Sequence, residues 1–246
     1  AIKGVAYANE RRGKHLVVSA TEHPSVMQSV EFLERQGWTC TRVPVDVDGT
    51  IQLETLRTAI RSDTVLVAVH HVNHDIGTIQ PMREISAIAR NHGVLVFSDA
   101  TQAVGKVPVD VNKDGIDLMA FTGHKMYGPT GTGVLYGKRH LLEAMPPWRG
   151  GGEMIKSVSF EKTTYNELPH KFEAGTPHIA GVIALGTAID FITSYNWHEL
   201  IAHEDEILDY ATGQLGQIEG LRIFGTSEKK TGVISFEVQG LHPYDI

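Results

Sequence analysis

Short apolar runs alternate with amphipathic stretches along most of the chain. Leu16-Val17-Val18-Ser19 has the length and continuity of a buried strand, while Pro24 to Gln36 repeats its apolar positions at helical spacing and closes on Gly37. Cys40 to Val45 predicts a second strand, followed by a turn at Asp48-Gly49. Leu53, Leu56 and Ile60 stripe a short helix, and Val65 to Val69 predicts another buried strand. Ile85, Ile88 and Ala89 mark a helix ending at Gly93, with a strand from Val94 to Phe97 after it. Further strands are expected at Leu118 to Phe121 and Gly133 to Gly137. Ile179, Val182, Ile183, Leu185 and Ile189 stripe a longer helix, and a second runs from Glu199 to Leu215. Strands at Leu221 to Phe224 and Val233 to Val238 close the series.

Strand and helix in alternation predict the α/β class, a mostly parallel sheet with helices on both faces. The final stretch reads as the start of a small α+β domain. The expected organisation is therefore a large domain over residues 1–195 and a smaller one beginning at 196–246. Ala1, Ile2, Val5 and Ala6 recur at helical spacing with no capping residue before them, and His242-Pro243-Tyr244-Asp245-Ile246 stops where a helix is about to begin. The expectation is a piece of a longer protein at both ends.

Composition narrows the function. Of 246 residues, 41% are hydrophobic and 21% charged, ordinary values for a globular protein. A net charge of -7 supplies no basic excess to neutralise phosphates, which argues against nucleic acid as a partner. Runs such as Val94 to Phe97 are far too short to cross a bilayer, and no signal peptide is visible, so a cytoplasmic location is expected. A single cysteine, Cys40, excludes an internal disulfide framework.

In an open α/β sheet, ligands bind beyond the carboxyl ends of the strands. Those ends carry Thr21, Glu22 and His23; His70, His71, Asn73, His74 and Asp75; Ser98, Asp99, Thr101 and Gln102; and Thr122, His124 and Lys125. Any one such cluster is ordinary, but together they make a site. Asp99 and Lys125 decide its chemistry. Pyridoxal 5'-phosphate (PLP) needs a lysine amine to hold it as a Schiff base and an acid beside its pyridine nitrogen, and these two residues end or follow strands of the same sheet. Thr122 and His124 offer donors for its phosphate. On spacing alone an alternative stands beside this one, with Lys125 a solvated loop lysine and Asp99 a turn former.

The segment Thr122-Gly123-His124-Lys125-Met126-Tyr127-Gly128-Pro129-Thr130-Gly131 resembles the lysine motif of cysteine desulfurases, in the class V aminotransferase family of PLP enzymes. Ser98-Asp99-Ala100-Thr101-Gln102-Ala103 resembles their ring-binding segment, and Glu22-His23 their stacking histidine. Gly150-Gly151-Gly152-Glu153-Met154-Ile155 and Phe172-Glu173-Ala174-Gly175-Thr176-Pro177 resemble segments of the SUF-type branch. The resemblance spans essentially the whole chain in motif order. It implies the PLP-dependent transferase fold of type I and removal of sulfur from L-cysteine, giving L-alanine and an enzyme persulfide for iron-sulfur cluster assembly. It implies that Lys125 carries the cofactor and shuttles a proton, that Asp99 faces the ring nitrogen, and that Gln102 faces the phenolic oxygen. His23 would stack on the ring and assist proton transfer. Thr122 and His124 would bind the phosphate, with Thr176 reaching in from the partner subunit of a homodimer. A sulfur-acceptor or scaffold protein is the implied further partner.

The chain departs from the family pattern in three places. The persulfide-forming cysteine is expected beyond Ile246, and a phosphate-binding threonine just before Ala1. Where the family usually has Asn beside the substrate carboxylate, this chain has His74, with Asn73 next to it as a possible substitute. Cys40 lies on an expected early strand and reads as a core thiol rather than a nucleophile. A related lyase or aminotransferase, such as a selenocysteine lyase, and a non-catalytic fragment remain as alternatives. No metal is expected: His70, His71, His74 and Asp75 lack a matching ligand set elsewhere, and adjacent strand histidines point to opposite faces.

Overall fold

In the computed structural model, which describes residues 1–246, strands β1 (His15–Ser19), β2 (Thr39–Val43), β3 (Thr64–Ala68), β4 (Leu95–Asp99), β5 (Leu118–Thr122) and β6 (Gly133–Gly137) form one sheet. Their order is β2-β1-β3-β4-β5-β6. The first five pair in parallel, and β6 returns antiparallel to β5, with Leu118 opposite Gly137. Every residue of β1 and β3 is buried. That is why these segments read as continuous apolar runs: a parallel sheet covered on both faces has no polar side to alternate with.

The pleat divides the core in two. Val17, Val67 and Val96 face helices α3 (Leu53–Ala59) and α4 (Met82–Asn91), which contribute Leu56, Ile85, Ile88 and Ala89. Leu16, Val18, Leu66, Ala68 and Phe97 face helices α1 (Ile2–Asn9) and α2 (Pro24–Glu34), which contribute Ile2, Val5, Val26, Val30 and Leu33. Each fully buried aliphatic side chain is worth about 1.5–3 kcal/mol. At the far end of the sheet from the strand tips, His15 is fully buried between two hydroxyls. Its Nδ1 lies 2.7 Å from Thr64 Oγ1 and its Nε2 2.9 Å from Thr41 Oγ1.

After β6 come α5 (Arg139–Ala144), the antiparallel pair β7 (Ile155–Val158) and β8 (Thr163–Tyr165), then α6 (Ile179–Thr193) and α7 (Trp197–Leu215). A separate antiparallel pair, β9 (Leu221–Phe224) and β10 (Ser235–Val238), comes next, followed by a single 3-10 turn at Pro243–Asp245. The segment between these last two strands is stitched back to the first part of the molecule. Thr226 Oγ1 donates to Asp48 Oδ1 at 2.8 Å, and Thr231 N donates to Gly77 O at 2.9 Å.

Several boundaries differ from expectation for local reasons. β2 stops at Val43, because Pro44 has no N–H for the ladder. α7 begins at Trp197, where the Asn196 side chain caps it by accepting from His198 N. β10 starts at Ser235, since Val233 N is taken up in a turn by Thr231 O. The apolar stripe on α6 is only partly an inward one: Leu185 is buried, while Ile179, Val182, Ile183 and Ile189 are exposed, and the inward positions include Gly181, Ala188 and Ile192. No single helix is long and apolar enough to cross a membrane.

Candidate active site

The carboxyl ends of β1, β3, β4 and β5 open into one pocket of about 290 Å³, lined by His23, Ser25, His70, Val72, His74, Asp99, Thr101, Gln102, Thr122, His124 and Lys125. Its volume lies at the small end of the roughly 300–1,000 Å³ range of small-molecule sites.

His23 is the N-cap of α2. Its Nδ1 accepts from Ser25 N at 3.2 Å and lies 2.9 Å from Ser25 Oγ, so in the neutral ring the proton sits on Nε2. Pro24 at the first helical position presets the backbone for that turn.

Asp99 is the last residue of β4. Its Oδ1 accepts from Thr101 N at 3.0 Å, which fixes the carboxylate against the turn that follows. In that turn Gln102 receives a hydrogen bond at its Oε1 from Lys106 Nζ at 2.7 Å. Gly105 has φ +83°, and a Cβ there would lie 3.3 Å from Met126 Cβ, so the turn carrying Gln102 packs closely on the one carrying Lys125.

Lys125 closes the short 3-10 turn Gly123–Lys125 after β5. A Cβ at Gly123 would sit 2.3 Å from Thr132 Oγ1, so a larger residue would displace that hydroxyl in the loop that returns as β6. Two residues on, Tyr127 holds φ 65°, a left-handed conformation that is strained for a bulky side chain. Thr122 Oγ1 and His124 Nδ1 are 2.8 Å apart at the same strand end.

From β3, His74 meets His23 edge to face and its Nε2 lies 3.5 Å from Asp75 Oδ2. Burial holds its pKa below the usual imidazole range. Asp75 opposes this, while His23, His70 and Lys125 add to it. His70 is fixed by a buried carboxylate: Glu22 Oε1 accepts from His70 N at 2.7 Å and pairs with its Nδ1 at 2.9 Å. Glu22 Oε2 is buried with no hydrogen-bond partner.

Residues 1–246 match the Aminotransferase class-V family over their full length. The chain belongs to that family. It is 42% identical over 240 residues to a probable cysteine desulfurase of Halalkalibacterium halodurans, and 40% identical over 241 residues to a cysteine desulfurase of Escherichia coli; each match covers 97% of this chain and 59% of the relative. Among solved structures, the cysteine desulfurase CsdA of Escherichia coli superposes with a TM-score of 0.90 at 33% identity, covering 99% of this chain and 62% of its own. The apo cysteine desulfurase of Thermococcus onnurineus does so with a TM-score of 0.89 at 34% identity, covering 95% of this chain and 59% of its own. The chain thus spans about three fifths of the length of these relatives, and its fold is that of PLP-dependent cysteine desulfurases.

The class-V family uses PLP, and the pocket's donor set suits that group. It combines one lysine amine, one carboxylate held at an adjacent strand end, an amide, and a hydroxyl-imidazole pair, with no second acid to compete for the lysine. Of the residues singled out in the sequence, His23, His74, Asp99, Gln102, Thr122, His124 and Lys125 all line this pocket.

Asn73 does not join them. Its Oδ1 accepts from Asp75 N and Ile76 N, each at 2.9 Å, and its Nδ2 points to Thr21 O at 3.4 Å. A side chain spent on bracing its own turn is not free for a substrate, so His74 alone represents this pair. Thr176 is exposed on the segment that packs beside Gly151 and Gly152, away from the pocket lining. His70 and Thr101, expected at strand ends but given no role there, line the pocket as well. Ser25 and Lys106 are the additions that the sequence does not signal: Ser25 lines the pocket beside His23, and Lys106 carries no motif.

Proposed function

We propose that this chain is the cofactor-binding portion of a PLP-dependent cysteine desulfurase, a protein that takes sulfur from L-cysteine and leaves L-alanine. The observation that carries this reading is the convergence of Lys125 and Asp99, from adjacent parallel strands, on one pocket that also holds His23 and Gln102. When bound, PLP supplies an electron sink for negative charge developing on the amino acid.

The protein's own groups do the rest. Lys125 would hold the cofactor covalently and, as the one lysine lining the pocket, would move a proton to and from the substrate. Asp99, pinned by Thr101 N, would offer its carboxylate to the pyridine nitrogen and favour the protonated ring. Gln102 would serve the phenolic oxygen as a donor, and Thr122 with His124 would hold the phosphate. His23, with its Nδ1 occupied by Ser25, covers the ring and offers Nε2 for proton transfer. His74 faces the substrate's carboxylate. Thr176 completes the site of a second copy in a homodimer.

Sulfur transfer needs a thiolate aimed at the substrate's sulfur, and Cys40 does not supply it. It lies on β2, with β1 and β3 between it and β4, and burial pushes its thiol up to about 11. The attacking thiol belongs to another residue of the whole protein. Transfer onward to a sulfur acceptor or scaffold for iron-sulfur assembly, in the cytoplasm, completes the proposal.

The direct test is borohydride reduction of the PLP-loaded protein followed by peptide mapping. A pyridoxyl label at Lys125 is expected. A label spread over surface lysines would overturn the assignment.

A further inference from the structure

We propose that Lys106 is a positioning residue that locks the side-chain amide of Gln102 with its NH2 group toward the pocket. An ammonium group has only donors, so the atom facing Lys106 Nζ at 2.7 Å must be the carbonyl oxygen of Gln102. The other end of the amide is then the NH2, and Gln102 lines the pocket while Lys106 does not. Without the lysine an amide can present either end, and the carbonyl would repel an anionic oxygen where the NH2 would attract one.

The lysine is itself held in place. Gly105 before it has φ +83°, which a side chain would strain, and packs closely on Met126, which couples this turn to the one carrying Lys125. Burial is the main influence on the Lys106 ammonium and lowers its pKa from the ordinary lysine value; the like charge of Lys125 adds to this, and the opposite charge of Glu204 on α7 opposes it. Burial also raises the pKa of Glu204, against the pull of Lys106. The half-buried ammonium therefore has Gln102 as its close partner, and the pair forms a fixed unit at the pocket wall.

The identity of the anionic oxygen, the phenolic group of PLP, rests on the function proposed above; the orientation of the amide does not. Two measurements separate these. In the unloaded protein with 15N-labelled glutamine, Lys106→Met is expected to move the Gln102 NH2 resonances, and Lys106→Arg, which keeps a donor to Oε1, to leave them near the parent position. In the PLP-loaded protein, Gln102→Leu is expected to raise the pH midpoint of the cofactor's absorbance change by about one unit or more, because a donor to a charged oxygen is lost. Lys106→Met should shift the midpoint in the same direction, Lys106→Arg should restore it, and the double variant should match Gln102→Leu.

Unmoved Gln102 resonances in Lys106→Met, or additive midpoint shifts in the double variant, would overturn the proposal. If the parent takes up no PLP at Lys125, the functional reading fails and the resonance measurement still decides the role of Lys106. Should Lys106→Met not fold, Lys106→Ala is read in its place by the same criteria.

Discussion

His23 and His74 meet edge to face at the pocket, their ring centroids 5.0 Å apart and their planes inclined at 77°. One ring is fixed by capping a helix, and the other is held below the ordinary imidazole pKa, chiefly by burial. Lys125 contributes to that suppression. In the unloaded protein, Lys125→Ala is therefore expected to raise the His74 midpoint, read from its imidazole resonances. A midpoint that stays put or falls would mean that Lys125 and His74 do not face one another.

Asp99 gives a second prediction. Asp99→Asn preserves the shape and the contact with Thr101 N but removes the charge. PLP should still attach at Lys125, while turnover of the whole protein falls by roughly 10²–10³-fold. Unchanged turnover at full cofactor loading would show that the carboxylate has another role.

Cys40 is expected to be inert. With its thiol pushed up to about 11 by burial, iodoacetamide at neutral pH should alkylate it at least about 100-fold more slowly than a free thiol. Cys40→Ser should leave PLP uptake unaltered. Production of sulfide and alanine by this chain alone, abolished by that substitution, would contradict the reading.

His15 makes folding sensitive to acid. Burial is the main cause that holds its pKa below the ordinary value near 6.5, with Arg61 adding to it and Asp63 opposing. His71 and His74 are lowered as well, again chiefly by burial. Above 6.5 these groups are neutral folded or unfolded and contribute nothing to the pH dependence. As pH falls below 6.5 the unfolded chain binds protons that the native state refuses, so stability declines until the depressed native values are reached, by up to about 1.4 kcal/mol per pH unit for each group. Urea unfolding from pH 7.5 to 5 should show this decline. His15→Gln should flatten it, and an equally steep decline in that variant would remove His15 from the account.

Much of the site was legible because its parts sit where physics puts ligands in this class of sheet. Asp99 and Lys125 each stand next to a recognisable apolar strand, and the polar residues after four strands were visible before their meeting was. What stayed hidden depends on contacts distant in sequence. Glu22 holds His70 across 48 positions, and the choice of His74 over Asn73 turns on which side chain is consumed by its own loop. β7 and β8 are short and mostly exposed, so they leave no buried stripe to find. The outward residues of α6 show the converse: apolar spacing marks a helix, but which flank of it turns inward depends on its neighbours.

The order of strands in the sheet sets when the pocket comes into being during folding. β1 lies between β2 and β3, so the tip carrying His23 is anchored only after the chain has travelled out to β2 and back past α3; His15 and its partner Thr64 are 49 positions apart. Lys125 follows β5, which pairs in parallel with β4 and antiparallel with β6. Every tip is delivered by a non-local pairing, the kind that closes slowly because loop entropy is spent before contacts return it. Covalent capture of PLP at Lys125 would then serve as a clock for refolding, its yield rising with completion of the sheet rather than with early collapse.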